Sequence, residues 1–197
     1  MTVDIPPPAL DPPAGWRLVS EEVTTPFDVR VVTVTAHTRI YEDSDLRERL
    51  AAATGAETTW RFVFASRLRI SPAKSPSGPL TRLVTDRATA RFVEVLGDRG
   101  FESVERADTH RFDLSDGDAG SDGEEGDRPT VEAVRFRAAV RLEDRSVPVE
   151  AYFAAWPAGD GEFLLGGGAY PLSVPDPESL DPERARDELF SMLRSIR

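Results

Sequence analysis

Two runs of alternating residues between Val131 and Trp156 constrain the fold of this chain more than any other feature. Val134, Phe136, Ala138, Val140 and Leu142 alternate with Arg135, Arg137 and Arg141. After the polar stretch Glu143-Asp144-Arg145-Ser146, Val147, Val149, Ala151 and Phe153 alternate with Glu150, Tyr152 and Trp156. Successive side chains of a strand point to opposite faces, so the pattern predicts a β-hairpin with one buried and one wetted side. With the turn at Asp144-Arg145, Leu142 faces Val147, Val140 faces Val149 and Ala138 faces Ala151. Glu150 then faces Ala139, diagonal to Arg137 and Arg141, which predicts an Arg-Glu-Arg cluster with Tyr152 opposite Arg137.

The same reasoning extends along the chain. Trp16 to Val23 reads as a strand broken by Thr24-Thr25-Pro26, and Val29 to Tyr41 as a second. A short helix from Ser44 to Thr54 follows, capped by Ser44 or Asp45 and stopped by Gly55. Thr58 to Ile70 alternates again, with Trp60, Phe62, Phe64, Leu68 and Ile70 on a bulky apolar face. From Leu80 to Leu96 the period becomes helical, through Leu80, Val84, Ala88, Phe92 and Leu96. Strands are expected from Phe101 to Leu114 and from Phe163 to Tyr170. Asp181-Pro182-Glu183 opens a last helix with a capping carboxylate, a first-turn proline and an acid near the positive end. The order implies an α+β fold: a curved antiparallel sheet of about six or seven strands with about three helices packed on one face. In element order, and in ending on an amphipathic helix, it resembles the Mog1/PsbP-like proteins, which implies a likeness of architecture.

At 197 residues, 40% of them hydrophobic, the chain suits one domain over 16–197. Residues 1–15, with Pro6, Pro7, Pro8, Pro12 and Pro13, read as a flexible proline-rich arm. Residues 113–128, acidic and glycine-rich, read as a mobile loop. The formal net charge is -11 and Lys74 is the single lysine. Such an acid-rich, lysine-poor composition resembles that of proteins from extreme halophiles, where surface carboxylates preserve solubility in salt. The absence of cysteine excludes disulfides, thiolate metal sites and cysteine nucleophiles. With neither a signal-like start nor an apolar run of membrane-spanning length, a cytoplasmic protein is expected.

Chemistry-bearing motifs are sparse. His37 and His110 are the only histidines and lack zinc-site spacing, so both read as hydrogen-bonded structural or surface residues, His110 alongside Arg106 and Asp108 on its strand. Asp118 to Gly123 echoes a calcium loop, but the twelfth position is Pro129 rather than glutamate. Gly166-Gly167-Gly168 lacks the third glycine of a phosphate loop and reads as a bulge or a close backbone neighbour. No catalytic residue, cofactor or metal is assigned. The arginine-rich hairpin face has its own acidic partner on a strongly acidic chain, which disfavours nucleic acid. The expected role is non-catalytic binding of another protein, with Arg135, Arg137, Arg141, Glu150, Tyr152 and Trp156 as the contact face. The alternative is a small-molecule-binding or hydrolytic domain using Trp60, Phe62 and Phe64 as an apolar cup.

Overall fold

The structure, a computed structural model, describes the chain except for residues 1–4, 30–31, 56–57, 115–128, 143–144, 176–177 and 179, and the side chains of Val29 and Leu142. Seven antiparallel strands form one sheet: β1 (Trp16–Val29), β2 (Val32–Asp43), β3 (Phe62–Ser71), β4 (Phe101–Asp113), β5 (Thr130–Leu142), β6 (Arg145–Gly159) and β7 (Glu162–Pro171), in the order β1-β2-β3-β7-β6-β5-β4. Three helices accompany them: α1 (Ser44–Thr54), α2 (Gly78–Asp98) and α3 (Pro182–Arg194). No described helix is long and apolar enough to cross a membrane. The acidic loop and its calcium-like stretch lie almost wholly outside the described residues.

The α+β class, the antiparallel sheet and the three helices agree with the sequence reading. The helices, however, are not gathered on one face. Helix α2 sets Phe92 and Leu96 against Phe62, Phe136, Val149, Phe153 and Phe163. Helix α3 sets Leu189, Phe190 and Leu193, followed by Ile196 just beyond its end, against the reverse side, over Val63, Ala133, Tyr152, Trp156, Leu164 and Tyr170. Alternation records which residues share a face; it does not record that a second helix will cover the more polar one.

Helix boundaries follow local chemistry. Asp43 rather than Ser44 or Asp45 caps α1, accepting from the Leu46 amide at 2.9 Å, and Gly55 ends it at φ 71°. Asp181 caps α3 as expected, accepting from the amides of Glu183 and Arg184. Strand β1 runs on through Pro26, with a register shift between Thr24 and Phe27. Proline is tolerated there because β1 is an edge strand, where a missing donor breaks no inner ladder.

From Ile5 onward the proline-rich arm packs against the rest of the chain. Ile5 and Leu10 are buried, and Ala9 exchanges two backbone hydrogen bonds with Arg197. His37 Nδ1 lies 2.9 Å from the Ile5 carbonyl oxygen, and its Nε2 lies 2.9 Å from Glu21 Oε1. His37→Ala should therefore loosen the arm, and faster amide exchange over residues 5–10 with the sheet unchanged would register it. Unchanged exchange would show that the apolar contacts alone hold the segment.

Beside the β6–β7 turn, Glu162 accepts from Arg69 at 2.6 and 3.0 Å and from Arg67 at 3.1 Å. Those bonds, to Arg69 chiefly and then to Arg67, hold its carboxyl below the ordinary value of 4.5. A lowered folded-state pKa contributes stability above the unfolded value, and that stability is lost as pH falls through the folded one. Glu162→Gln should cost on the order of 1 kcal/mol near neutral pH. The difference from the wild type should close below the carboxyl range in urea melts at stepped pH; a gap that persisted in acid would assign the effect to shape instead of charge.

Candidate functional site

The hairpin pairs as β5 and β6, but two residues out of the expected register. Val140 lies opposite Val147, Ala138 opposite Val149, Arg137 opposite Glu150 and Arg135 opposite Tyr152. Because Leu142 pairs with Arg145, only Glu143 and Asp144 separate the strands. A slip of two preserves which residues share a face, so the division into faces stands while the partners change. The expected Arg137-Glu150-Arg141 cluster is replaced by another. Glu150 Oε1 accepts from Arg135 Nη1 at 3.0 Å, and Oε2 accepts from the Tyr170 and Tyr152 hydroxyls at 2.8 and 3.2 Å.

The proposed contact residues thus part company. Arg137 and Arg141 are exposed, Arg141 paired with Glu102 at 3.2 Å. Tyr152 and Trp156 are buried beneath α3, so they are core rather than outer surface. Arg135 and Glu150 lie between, half-buried. Burial first, and then the neighbouring carboxylate, raise the phenol pKa of Tyr152; for Tyr170, burial and its hydrogen bond to Glu150 do the same. Both hydroxyls therefore remain donors to Glu150.

A polar opening lies on this face, a cavity of about 150 Å³ lined by Asp108, Thr109, His110, Arg135, Tyr152 and Arg186. Each lining group is placed by an identifiable device. A bulge in β4 between Arg106 and Thr109 puts Arg106 opposite Phe136 but His110 opposite Ala133. His110 and Arg106 therefore sit on opposite faces, contrary to strict alternation. Asp108 Oδ1 and Oδ2 accept from Arg135 Nε and Nη2 at 2.8 and 2.6 Å. With Glu150 on its other side, Arg135 is engaged by two carboxylates, which raise its pKa. Arg186, on α3, crosses the cavity and donates from Nη2 to His110 Nδ1 at 3.3 Å.

The electrostatics follow from these contacts. His110 lies against Phe190, with ring centroids 4.7 Å apart. Burial first, then Arg186 and Arg194, lower its pKa below 6.5. It is neutral at ordinary pH, and because Nδ1 accepts from Arg186, the ring proton sits on Nε2. Arg186 also stacks over Tyr152 and Phe190 at 6.0 and 5.8 Å. It has no carboxylate at ion-pair distance among the described residues, whereas Arg135 has two. Tyr170, Asp108 and Arg186 carry no motif of their own; the bulge and the helix docking bring them here.

The apolar cup expected of Trp60, Phe62 and Phe64 is filled. Phe64 meets Phe92 and Phe153 at 5.7 and 6.3 Å between centroids, while Trp60 packs under α1 with Leu46 and Leu50. Helix α2 thus occupies the space a ligand would need. Gly166 lies against the side chains of Leu193 and Ile196, and Gly168 against Leu189 on α3 and the Phe62 carbonyl. Among the described residues, no three His, Cys, Asp or Glu side chains gather as a metal site would require.

The chain belongs to a family described as a domain of unknown function (DUF6517), whose model matches residues 2–197. No curated protein and no solved structure matches it.

Proposed function

We propose that this DUF6517 protein is a non-catalytic binding domain that engages another protein at the cleft between β4 and α3. The carrying observation is Arg186, a guanidinium at the rim of the cleft with no carboxylate partner among the described residues, beside an Arg135 engaged by two. Supporting it, the polar opening beside α3 brings two arginines and a histidine together at the edge of a packed core. At about 150 Å³ it falls below the roughly 300–1,000 Å³ of typical small-molecule pockets and suits one inserted side chain. The formal net charge of -11 argues against nucleic acid as the partner. The acid-rich, lysine-poor composition favours a salt-rich cytoplasm as the setting.

Capture by the full chain from a high-salt lysate tests this reading. The partner retained by the wild type should be lost from Arg186→Glu and kept by Arg87→Glu, an exposed position on α2, with melting temperatures matched. Equal retention by all three proteins, or no partner at all, would overturn it.

A further inference from the structure

We propose that the β4–α3 cleft is a carboxylate receptor that takes up one proton on His110 as it binds. This rests on the cleft being a recognition site and identifies the group recognised: the carboxylate of an Asp or Glu side chain or of a chain terminus.

The charges favour a monoanion. Arg135, Arg186 and Arg194 stand against Asp108 and Glu150, so with His110 neutral the empty cleft carries one net positive charge. A carboxylate brings that sum to zero. A phosphate dianion would turn it to one negative charge, beside an Asp108 carboxylate on the cleft wall. The size agrees: about 150 Å³ admits a carboxylate with its nearest methylenes.

The proton has a defined place. In the empty cleft Arg186 Nη2 donates to His110 Nδ1, which keeps that nitrogen unprotonated. An entering carboxylate offers Arg186 a charged acceptor, a stronger one than the neutral ring nitrogen. Arg186 transfers its hydrogen bond to a ligand oxygen, Nδ1 is freed, and it takes a proton from solvent. The imidazolium then donates to the ligand. The groups facing His110 are Asp108 on its own strand, Arg135 on β5, Tyr152 on β6, and Arg186 and Arg194 on α3. The three arginines oppose the ring's charge in the empty cleft, and a bound anion offsets them.

The test uses the full chain labelled with ¹⁵N, following the His110 ring nitrogens during titration with acetate and, separately, inorganic phosphate. Acetate should convert His110 from the Nε2-protonated neutral ring to the doubly protonated form at a pH where the ligand-free protein keeps it neutral. Arg186→Gln should weaken acetate at least about tenfold, as loss of a charged hydrogen bond does. Arg186→Lys, which retains the charge and the helix packing, should weaken it less. Phosphate should move the ring no more than chloride at equal ionic strength. Phosphate binding as tightly as acetate, a ring that stays neutral at saturation, or acetate affinity indifferent to both variants would each overturn the proposal. Acetate behaving as described while no protein partner is captured would remove the protein-binding reading and leave this one standing.

Discussion

Arg61→Met should be among the most damaging single changes in this protein, costing about 3–5 kcal/mol of stability, as the breaking of a buried ion cluster does. Arg61 is 5% exposed and joins β1, β2 and α3. Its guanidinium donates to Asp43 Oδ2 at 3.2 Å, to Glu188 Oε2 at 3.0 Å and to the Ala185 carbonyl at 2.9 Å. It also stacks 4.9 Å over Trp16, whose indole donates to the other oxygen of Glu188. Asp43 is committed twice, since its Oδ1 caps α1. Removing the arginine leaves two largely buried carboxylates without their cation, a penalty larger than the net value of the pairs. Replacing Glu188 as well should recover about 1 kcal/mol or more, because one stranded charge disappears with it. Chemical denaturation of the single and double variants would register this; a single variant within about 1 kcal/mol of wild type would mean that the cluster contributes little.

Gly168→Ala should cost about 3 kcal/mol, at the upper end of overpacking penalties, and Gly166→Ala less, about 1–2 kcal/mol. None of Gly166, Gly167 and Gly168 has a positive φ, so the requirement is for space and not for an unusual backbone. A Cβ at Gly168 would collide with the Phe62 carbonyl oxygen on β3 and lie 2.8 Å from Leu189 on α3. At Gly167 it would come 2.6 Å from the Tyr152 carbonyl. At Gly166 the obstacles are the tips of Ile196 and Leu193, which can rotate away, whereas a carbonyl fixed in the ladder cannot. Thermal melts of the three alanine variants should rank Gly166 as the mildest. Equal tolerance at all three would mean that α3 does not depend on this seat.

The glycine run also marks where the sequence could be read and where it could not. Alternation in β3, β5 and β6 identifies the strands and divides their side chains correctly between faces, because that division depends only on neighbours along the chain. It survives even the two-residue error in the hairpin register. What covers a face is a long-range property. The seat of α3 is made by missing side chains at Gly166 and Gly168 and by small ones at Ala65, Ala133 and Ala154, which a search for apolar periodicity passes over. Tyr152 and Trp156 therefore read as outer residues when they are core.

The candidate site was half legible for the same reason. Arg135, Glu150 and Tyr152 come from the hairpin and were found together. His110 depends on a bulge that breaks the period of β4, and its partner Arg186 lies 76 residues away on α3. Neither position carries a motif that would join them.

Photo-crosslinking can test recognition at the cleft between β4 and α3. A benzophenone side chain at Glu183, exposed on α3 one turn before Arg186, is compared with one at Ala90, exposed on α2 across the sheet. A discrete photo-adduct with a protein partner should form from position 183 alone, be suppressed by acetate and be abolished by Arg186→Glu. An adduct formed equally from position 90, or one from position 183 that ignores Arg186→Glu, would contradict recognition at this cleft.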